Sequence, residues 1–382
     1  MYLRINDLAK IVTVVLCVMF LTINSISGQV VGVNPDGSTR ALTTALPFLL
    51  INPDSRGGGL GDAGVAISDN ANSVFWNPAA LSFTEKRYGF AVNYTPWLRA
   101  LGIPDINLAY LPAYFKINEK SGVVNIALTN FSLGEINFTD ATGADIGNYN
   151  ANEFSFSAGY SLKITDKMSI ASNLRFARSN LTGTGTYGGL PVAPAQTFAG
   201  DVAMFYTKDF NVKTSSGQLP LNLRVGMNIS NIGAKVSYST SGRKDFIPTN
   251  LRLGWALKAE IDQYNTITLT NDFNKLMVPS EGGASSKPLL SGMFGSFADR
   301  SFGEEMKEIT VSIGAEYWYN KLFAVRAGWF WEDPNKGNRK FITLGAGLRF
   351  KVFTLDFAYL APFEQNHPLQ NTLRFTLAFD FE

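Results

Sequence analysis

Residues 309–332 read ITVSIGAEYWYNKLFAVRAGWFWE, and this stretch decides the fold. Ile309, Val311, Ile313, Ala315, Tyr317 and Tyr319 alternate with Thr310, Ser312, Gly314, Glu316 and Trp318. A period of two is the mark of a strand with two unlike faces. Asn320-Lys321 then forms a short turn, and 322–332 resumes the alternation. Strands this long exceed the soluble mode of about five or six residues. They suit a strand tilted across a membrane.

The same unit recurs in both directions. Alternating segments lie at 88–98, 105–117, 121–131, 152–164, 167–179, 197–208, 219–232, 250–262, 264–274, 308–319, 322–332, 339–350, 353–361 and 371–381, making 14. In 250–262, Leu251, Leu253, Trp255, Leu257, Ala259 and Ile261 share one face; Arg252, Gly254, Ala256, Lys258, Glu260 and Asp262 share the other. In the last segment Leu373, Phe375, Leu377, Phe379 and Phe381 face one way. A soluble sandwich also alternates, so the connections carry more weight. Asn118–Lys120, Thr165-Asp166, Gln263, Asn320-Lys321 and Lys351-Val352 are short, and Asp209–Gln218 is of medium length. Between them fall the longer 132–151, 180–196, 233–249, 275–307 and 362–370. Even strand number, short turns on one rim and long loops on the other predict an all-β, 14-stranded antiparallel transmembrane β-barrel. With the short turns periplasmic, both ends of the mature chain are expected on the periplasmic side. Tyr94–Trp97, Tyr317–Tyr319 and Trp329–Trp331 fit aromatic girdles at the membrane interfaces.

Composition agrees. Charged residues are 17% of 382, with Gly 35, Phe 29 and Tyr 14, against about 25% charged in soluble proteins. Mean hydropathy is only +0.03, as expected when every second residue meets lipid. Lys+Arg 33 against Asp+Glu 31 gives no basic field for nucleic acid. Residues 1–28 read as a secretory signal, with Arg4 and Lys10 before the apolar Ile11–Ile26 and small residues at Ser25–Gly28. Cys17, the single cysteine, lies inside it. Residues 29–87 are expected to form an N-terminal extension ahead of the barrel at 88–382.

Gly59-Leu60-Gly61-Asp62-Ala63-Gly64 matches G-x-G-x-x-G. A dinucleotide site needs that turn inside a strand–helix–strand unit, and only β segments follow. The expectation is a tight turn of residues without Cβ, packed on the barrel wall or in its lumen. His367 is the single histidine, which excludes a multi-histidine metal site; no catalytic constellation or cofactor site is recognisable. Asp140, Asp145, Glu304 and Glu305 follow no calcium-loop spacing. The loop 280–303 is Gly- and Ser-rich yet carries Leu289, Leu290, Met293, Phe294, Phe297 and Phe302. Apolar side chains on an exterior loop call for a partner or a fold-back onto the barrel. Leu190–Pro194 is a second apolar loop tip.

From Leu50-Ile51-Asn52-Pro53-Asp54-Ser55-Arg56 through Gly61-Asp62-Ala63-Gly64-Val65-Ala66 to Phe75-Trp76-Asn77-Pro78-Ala79-Ala80-Leu81, the chain resembles the PorV (LptO) family. These are outer-membrane barrels of the Bacteroidetes type IX secretion system, with FadL-type transporters as wider relatives. The resemblance implies that Asn52, Pro53, Arg56, Gly59, Gly61, Gly64, Asn77 and Pro78 belong to a hatch inside the lumen. It also implies association with a SprA- or Sov-type translocon barrel, with the C-terminal domains of secreted cargo, with a surface attachment complex and with outer-membrane lipids. The alternative it leaves open is a FadL-type transporter of hydrophobic small molecules. Phe381 is followed by Glu382, a departure from the usual aromatic terminus.

Overall fold

A computed structural model describes residues 42–382 except 68–69, 100–101, 103–104, 119–121, 140–141, 144, 182, 184, 188–189, 216, 240–243, 281–285 and 365–366. Residues 1–41, including the expected signal sequence, lie outside the described residues. The strands are β1 (Tyr88–Pro96), β2 (Ile106–Asn118), β3 (Gly122–Thr139), β4 (Asp145–Thr165), β5 (Met168–Asn180), β6 (Gly185–Tyr187), β7 (Leu190–Val192) and β8 (Ala195–Thr214). They continue with β9 (Gly217–Gly233), β10 (Asn250–Glu260), β11 (Asn265–Leu276), β12 (Ile309–Tyr319), β13 (Phe323–Trp331), β14 (Lys340–Phe350), β15 (Phe353–Pro362) and β16 (Thr372–Phe381). All but the small β6–β7 hairpin close into one 14-stranded antiparallel barrel. β1 meets β16 in register from Tyr88↔Phe381 to Tyr94↔Phe375. Stacked rings of Tyr88 and Phe381, 5.0 Å apart, and of Phe90 and Phe379, 4.9 Å apart, line that seam. Glu382, beyond the aromatic end, pairs with Lys86.

The barrel is inside out relative to a soluble protein. In β10, Leu253 and Trp255 are exposed while Asn250, Arg252 and Ala256 are buried. Phe198, Leu174, Val325 and Leu344 are likewise exposed, whereas Ser157, Asn173, Glu316 and Arg326 are buried. Apolar side chains therefore meet lipid and polar ones face the lumen, as a transmembrane barrel requires. Among the described residues no helix is long and apolar enough to cross a membrane.

Two hairpins run longer than their alternation indicates. β3 and β4 stay paired out to Phe138↔Gly147 and Thr139↔Asp145, so most of the expected loop 132–151 is strand. β8 and β9 stay paired to Thr214↔Gly217, so the medium turn at 209–218 is a tight one. Beyond the bilayer both faces meet water, and the apolar contrast that reveals a strand disappears.

Candidate functional site: the luminal segment and the exterior lid

Residues 45–67 and 70–84 occupy the lumen. The described chain starts at the long-loop rim, where the Ala45 amide donates to the Phe246 carbonyl at 2.9 Å. Leu46, Phe48 and Leu49 pack there with Ile106, Leu108, Phe131 and Ile247. The segment then descends, and Thr84 reaches Tyr114 near the short-turn rim at 3.2 Å. The segment therefore runs from the long-loop rim to the short-turn rim. The expected position of the mature N-terminus falls on residues 29–41, outside the described residues, and the chain enters β1 at Tyr88 from the short-turn rim.

Asp54 organises the segment. Its carboxylate accepts from the Arg56 and Gly57 amides, each at 3.0 Å, and caps the short helix Ser55–Gly58. Asn72 Nδ2 and Trp76 Nε1 also donate to it at 3.0 Å. Four donors on one carboxylate satisfy a group that is costly to bury alone. Asn52 Oδ1 accepts from the Asp54 amide at 2.8 Å, and its Nδ2 donates to Asp62 at 2.7 Å. Asn77 caps the turn that Pro78 opens: Oδ1 accepts from the Ala79 amide, and Nδ2 donates to the Val65 and Met204 carbonyls at 3.1 and 3.0 Å. Proline fits the first turn because its missing N–H would be unpaired there anyway.

Charges fasten the segment to the wall. Arg56 makes a two-pronged contact with Glu316, Nε at 2.9 Å and Nη2 at 2.8 Å. Arg326 Nε also donates to Glu316 at 2.7 Å, and its Nη1 to Asp356 at 2.7 Å. Arg374 donates to Asp62 at 2.6 Å. Asp272 accepts from the Gly64 and Val65 amides at 2.7 and 2.9 Å. The Arg252 guanidinium lies 4.7 Å over the Trp76 ring.

Glycines set how closely the backbones approach. Gly61 has φ +71°, and a Cβ there would lie 2.5 Å from the Trp329 carbonyl oxygen. A Cβ on the facing Gly328 would lie 2.0 Å from the Gly61 nitrogen. Gly59 faces Gly345 in the same manner, and a Cβ on Gly64 would sit 2.0 Å from the Trp76 ring. The glycine run is thus a wall-packed turn in the lumen. A cavity of about 20 Å³ remains where Phe48, Leu49 and Phe75 face Tyr110, Ser155 and Arg175.

The loop between β11 and β12 folds into a lid. Lys275 contacts Glu305 at 2.8 Å and Glu308 at 2.6 Å, and Lys336 reaches Glu308 at 2.9 Å. Ser280 donates to Asp299 at 2.6 Å and to Glu308 at 2.9 Å. Glu305 and Glu304 are thus committed to lysines, Glu304 to Lys307. Of the six apolar lid residues named from sequence, Met293 is buried inward and Leu289 is half-buried. Leu290, Phe294 and Phe302 are 61%, 64% and 81% exposed, and Phe297 is also exposed. One side of the loop folds back onto the barrel, and the other leaves its rings exposed. The tip at Leu190–Val192 instead pairs with Gly185–Tyr187 and bridges to Ser239. Sequence reasoning missed Asp54, Asp62, Asp272 and Asp356, and did not anticipate Glu316 and Arg326 as partners. For Asp272, Glu316, Arg326 and Asp356 the signal was available, as ionisable residues at the inward phase of membrane strands; Asp54 and Asp62 lie in the luminal segment and carry no such phase.

Residues 34–282 match the family model described as type IX secretion system protein PorV. Among solved structures, the Pseudomonas putida toluene transporter TodX is similar with TM-score 0.50 at 11% identity, over 87% of this chain and 99% of that one. The Ralstonia pickettii toluene transporter TbuX gives 0.48 at 12% identity, over 87% and 98%. A Pseudomonas aeruginosa FadL homologue gives 0.44 at 12%, over 87% and 99%. No curated protein matches the chain. The likeness to TodX speaks for a shared barrel fold.

Proposed function

Since the chain belongs to the PorV family of type IX secretion proteins, we propose that this outer-membrane component works through its exterior rim rather than through its lumen. In this reading it receives secreted cargo, by the cargo's C-terminal signal domain, at a SprA- or Sov-type translocon. It then carries that cargo to the surface attachment complex. The observation that carries the reading is the pairing of a filled lumen with an outward-facing apolar lid. The lumen holds a segment pinned to the wall by the Arg56–Glu316 and Arg374–Asp62 pairs. Leu290, Phe294, Phe297 and Phe302 stand exposed on a lid whose other side is anchored by Lys275 and Lys336. Apolar side chains grouped on a soluble surface mark a contact site.

The FadL-type alternative needs room for its ligand. The ion-paired segment, held by Arg56–Glu316 and Arg374–Asp62, stands in the lumen that such a ligand would have to pass. The test is a triple replacement, Leu290→Ser, Phe294→Ser and Phe302→Ser. All three side chains are exposed, so heat-modifiable gel migration of the barrel should be unchanged. Co-purification with the translocon and release of cargo should fall together. Full co-purification and normal secretion would sink the reading.

A further inference from the structure

Two neighbouring short turns, with the strand end beside them, carry Lys321, Arg349 and Lys351 and no carboxylate. Asn320-Lys321 leads from β12 towards β13, and Lys351-Val352 joins β14 to β15. Asn320, Lys321 and Lys351 lie at φ 53°, 53° and 54°, the positive values that the tightest hairpin turns use. The Leu322 amide closes the first turn onto the Tyr319 carbonyl at 3.0 Å. The Arg349 amide donates to the Leu322 carbonyl at 2.8 Å, which continues the β13–β14 register beyond Phe323↔Leu348. Lys321 therefore stands level with Phe350, one position from Lys351, on strands about 4.8 Å apart.

None of the three cations makes an ion pair among the described residues. The carboxylate that Lys321 acts on, Glu260, is already held by Lys258 at 2.8 Å. Elsewhere on the same rim Lys86 has its own partner in Glu382. Like charges this close repel one another, so the two turns favour an anion from outside the chain. The Arg349 guanidinium lies 4.7 Å over the Trp318 ring, on the lumen side, and adds to the positive field there. The two lysines are left for contact. Their surroundings are apolar: Tyr319, Phe323, Phe350 and Val352 are exposed beside them, and Lys351 Nζ lies 5.5 Å over the Phe350 ring. The cations thus begin where the lipid-facing aromatic band ends, which is headgroup depth.

We propose that these paired turns seat the phosphate of one anionic phospholipid. Lys321 and Lys351 hold the phosphate as two point charges on adjacent turns, and the glycerol and first acyl carbons lie on Phe323, Phe350 and Val352. The continuity of the aromatic wall with the cationic tip selects an amphiphile over a soluble acidic peptide, which would use the cations and leave the rings beside them unmatched. The two-residue turns add little surface beyond the aromatic band, so recognition is of the phosphate rather than of a large polar headgroup.

The test is native mass spectrometry of the barrel released from detergent micelles that contain phosphatidylglycerol and phosphatidylcholine in equal amounts. The parent should retain one phosphatidylglycerol in preference by at least about tenfold, the scale expected of two lysines at a lipid surface. Lys321→Gln with Lys351→Gln should abolish the preference. Both side chains are exposed, so heat-modifiable migration should stay normal. Lys167→Gln with Lys213→Gln makes the same charge change elsewhere on the rim and should leave the preference intact. Equal retention of the two lipids by the parent overturns the proposal. So does a preference that survives loss of Lys321 and Lys351, or one that falls equally in the control pair. Displacement of the lipid by millimolar inorganic phosphate, or a stronger hold on lipopolysaccharide than on phosphatidylglycerol, would overturn it too. The readout involves neither the lid nor secretion, so it stands or falls apart from the cargo reading.

Discussion

Glu316→Gln isolates the contact that fixes the luminal segment most firmly. Glu316 holds Arg56 from the segment and Arg326 from the wall, and Arg326 also holds Asp356. The four charges sum to zero. All are buried, with the Glu316 and Arg326 side chains 1% and 0% exposed. The replacement keeps shape and one acceptor but leaves two guanidiniums facing one carboxylate. Breaking a buried pair costs about 3–5 kcal/mol. The ladders of 14 strands do not depend on the segment, so the loss falls on local release of residues 52–66 rather than on the barrel. At 1.36 kcal/mol per decade, release becomes roughly two to four orders of magnitude more frequent. A cysteine at the fully buried Ala66, labelled with a maleimide in liposomes, reads that opening directly. Arg56→Met in the same background restores neutrality, because Arg326 keeps Asp356. The double variant should therefore label more slowly than Glu316→Gln alone, the non-additivity expected of groups in one network. A single variant that labels at the parent rate, or a double that labels faster than the single, refutes the reasoning.

Gly61→Val forces a β-branched residue to φ +71° and a Cβ against the Trp329 carbonyl, a strain of about 1–3 kcal/mol before the clash; protease access to the segment should rise. Gly328→Ala should produce the same phenotype from the wall side, since its Cβ meets the Gly61 nitrogen. Lys275→Met leaves Glu305 and Glu308 with one fewer cation, so trypsin should cut faster at Arg300 while barrel migration is unchanged. Burial pushes the His367 imidazole below its ordinary value, and its Nδ1 accepts from the Leu369 amide. A lowered folded value means that stability is full above about 6.5 and is lost as pH falls toward the folded value; exchange of residues 367–372 should accelerate there, and less so in His367→Gln.

The strands were legible because lipid enforces the contrast. Leu251, Leu253 and Trp255 read as one face since every second position meets hydrocarbon. The same rule explains the shortfall at the rims. Residues 133–139 and 145–151 pair as strand but read as loop, because both their faces meet water. In the luminal segment the local chemistry was readable: Pro78 opens a turn, and Gly61 makes one at positive φ. The partners were not. Gly64 finds Asp272 208 positions away, and Asp62 finds Arg374 312 away. No local pattern encodes such pairs; only the closed barrel brings them together. Asp54 stood inside the quoted motif, yet its role depends on Asn72 and Trp76 folding back over it.

The paired glycines and the buried charges solve two parts of one problem. A 14-stranded barrel encloses a lumen that its own side chains fill only in part. Filling it with a polypeptide segment brings backbone polar groups into a closed space, where each needs a partner. Gly328 against Gly61 and Gly345 against Gly59 bring two backbones into contact with no side chain between them. Thr343 and Asp272 on the wall then meet the Gly61, Gly64 and Val65 amides. A ligand entering this lumen must break those bonds and the Arg56–Glu316 and Arg374–Asp62 pairs. A drug-sized hydrophobic ligand brings only about 0.3 kcal/mol per heavy atom to that task. Such a lumen favours a barrel held rigid from within, with the apolar lid on its long-loop rim.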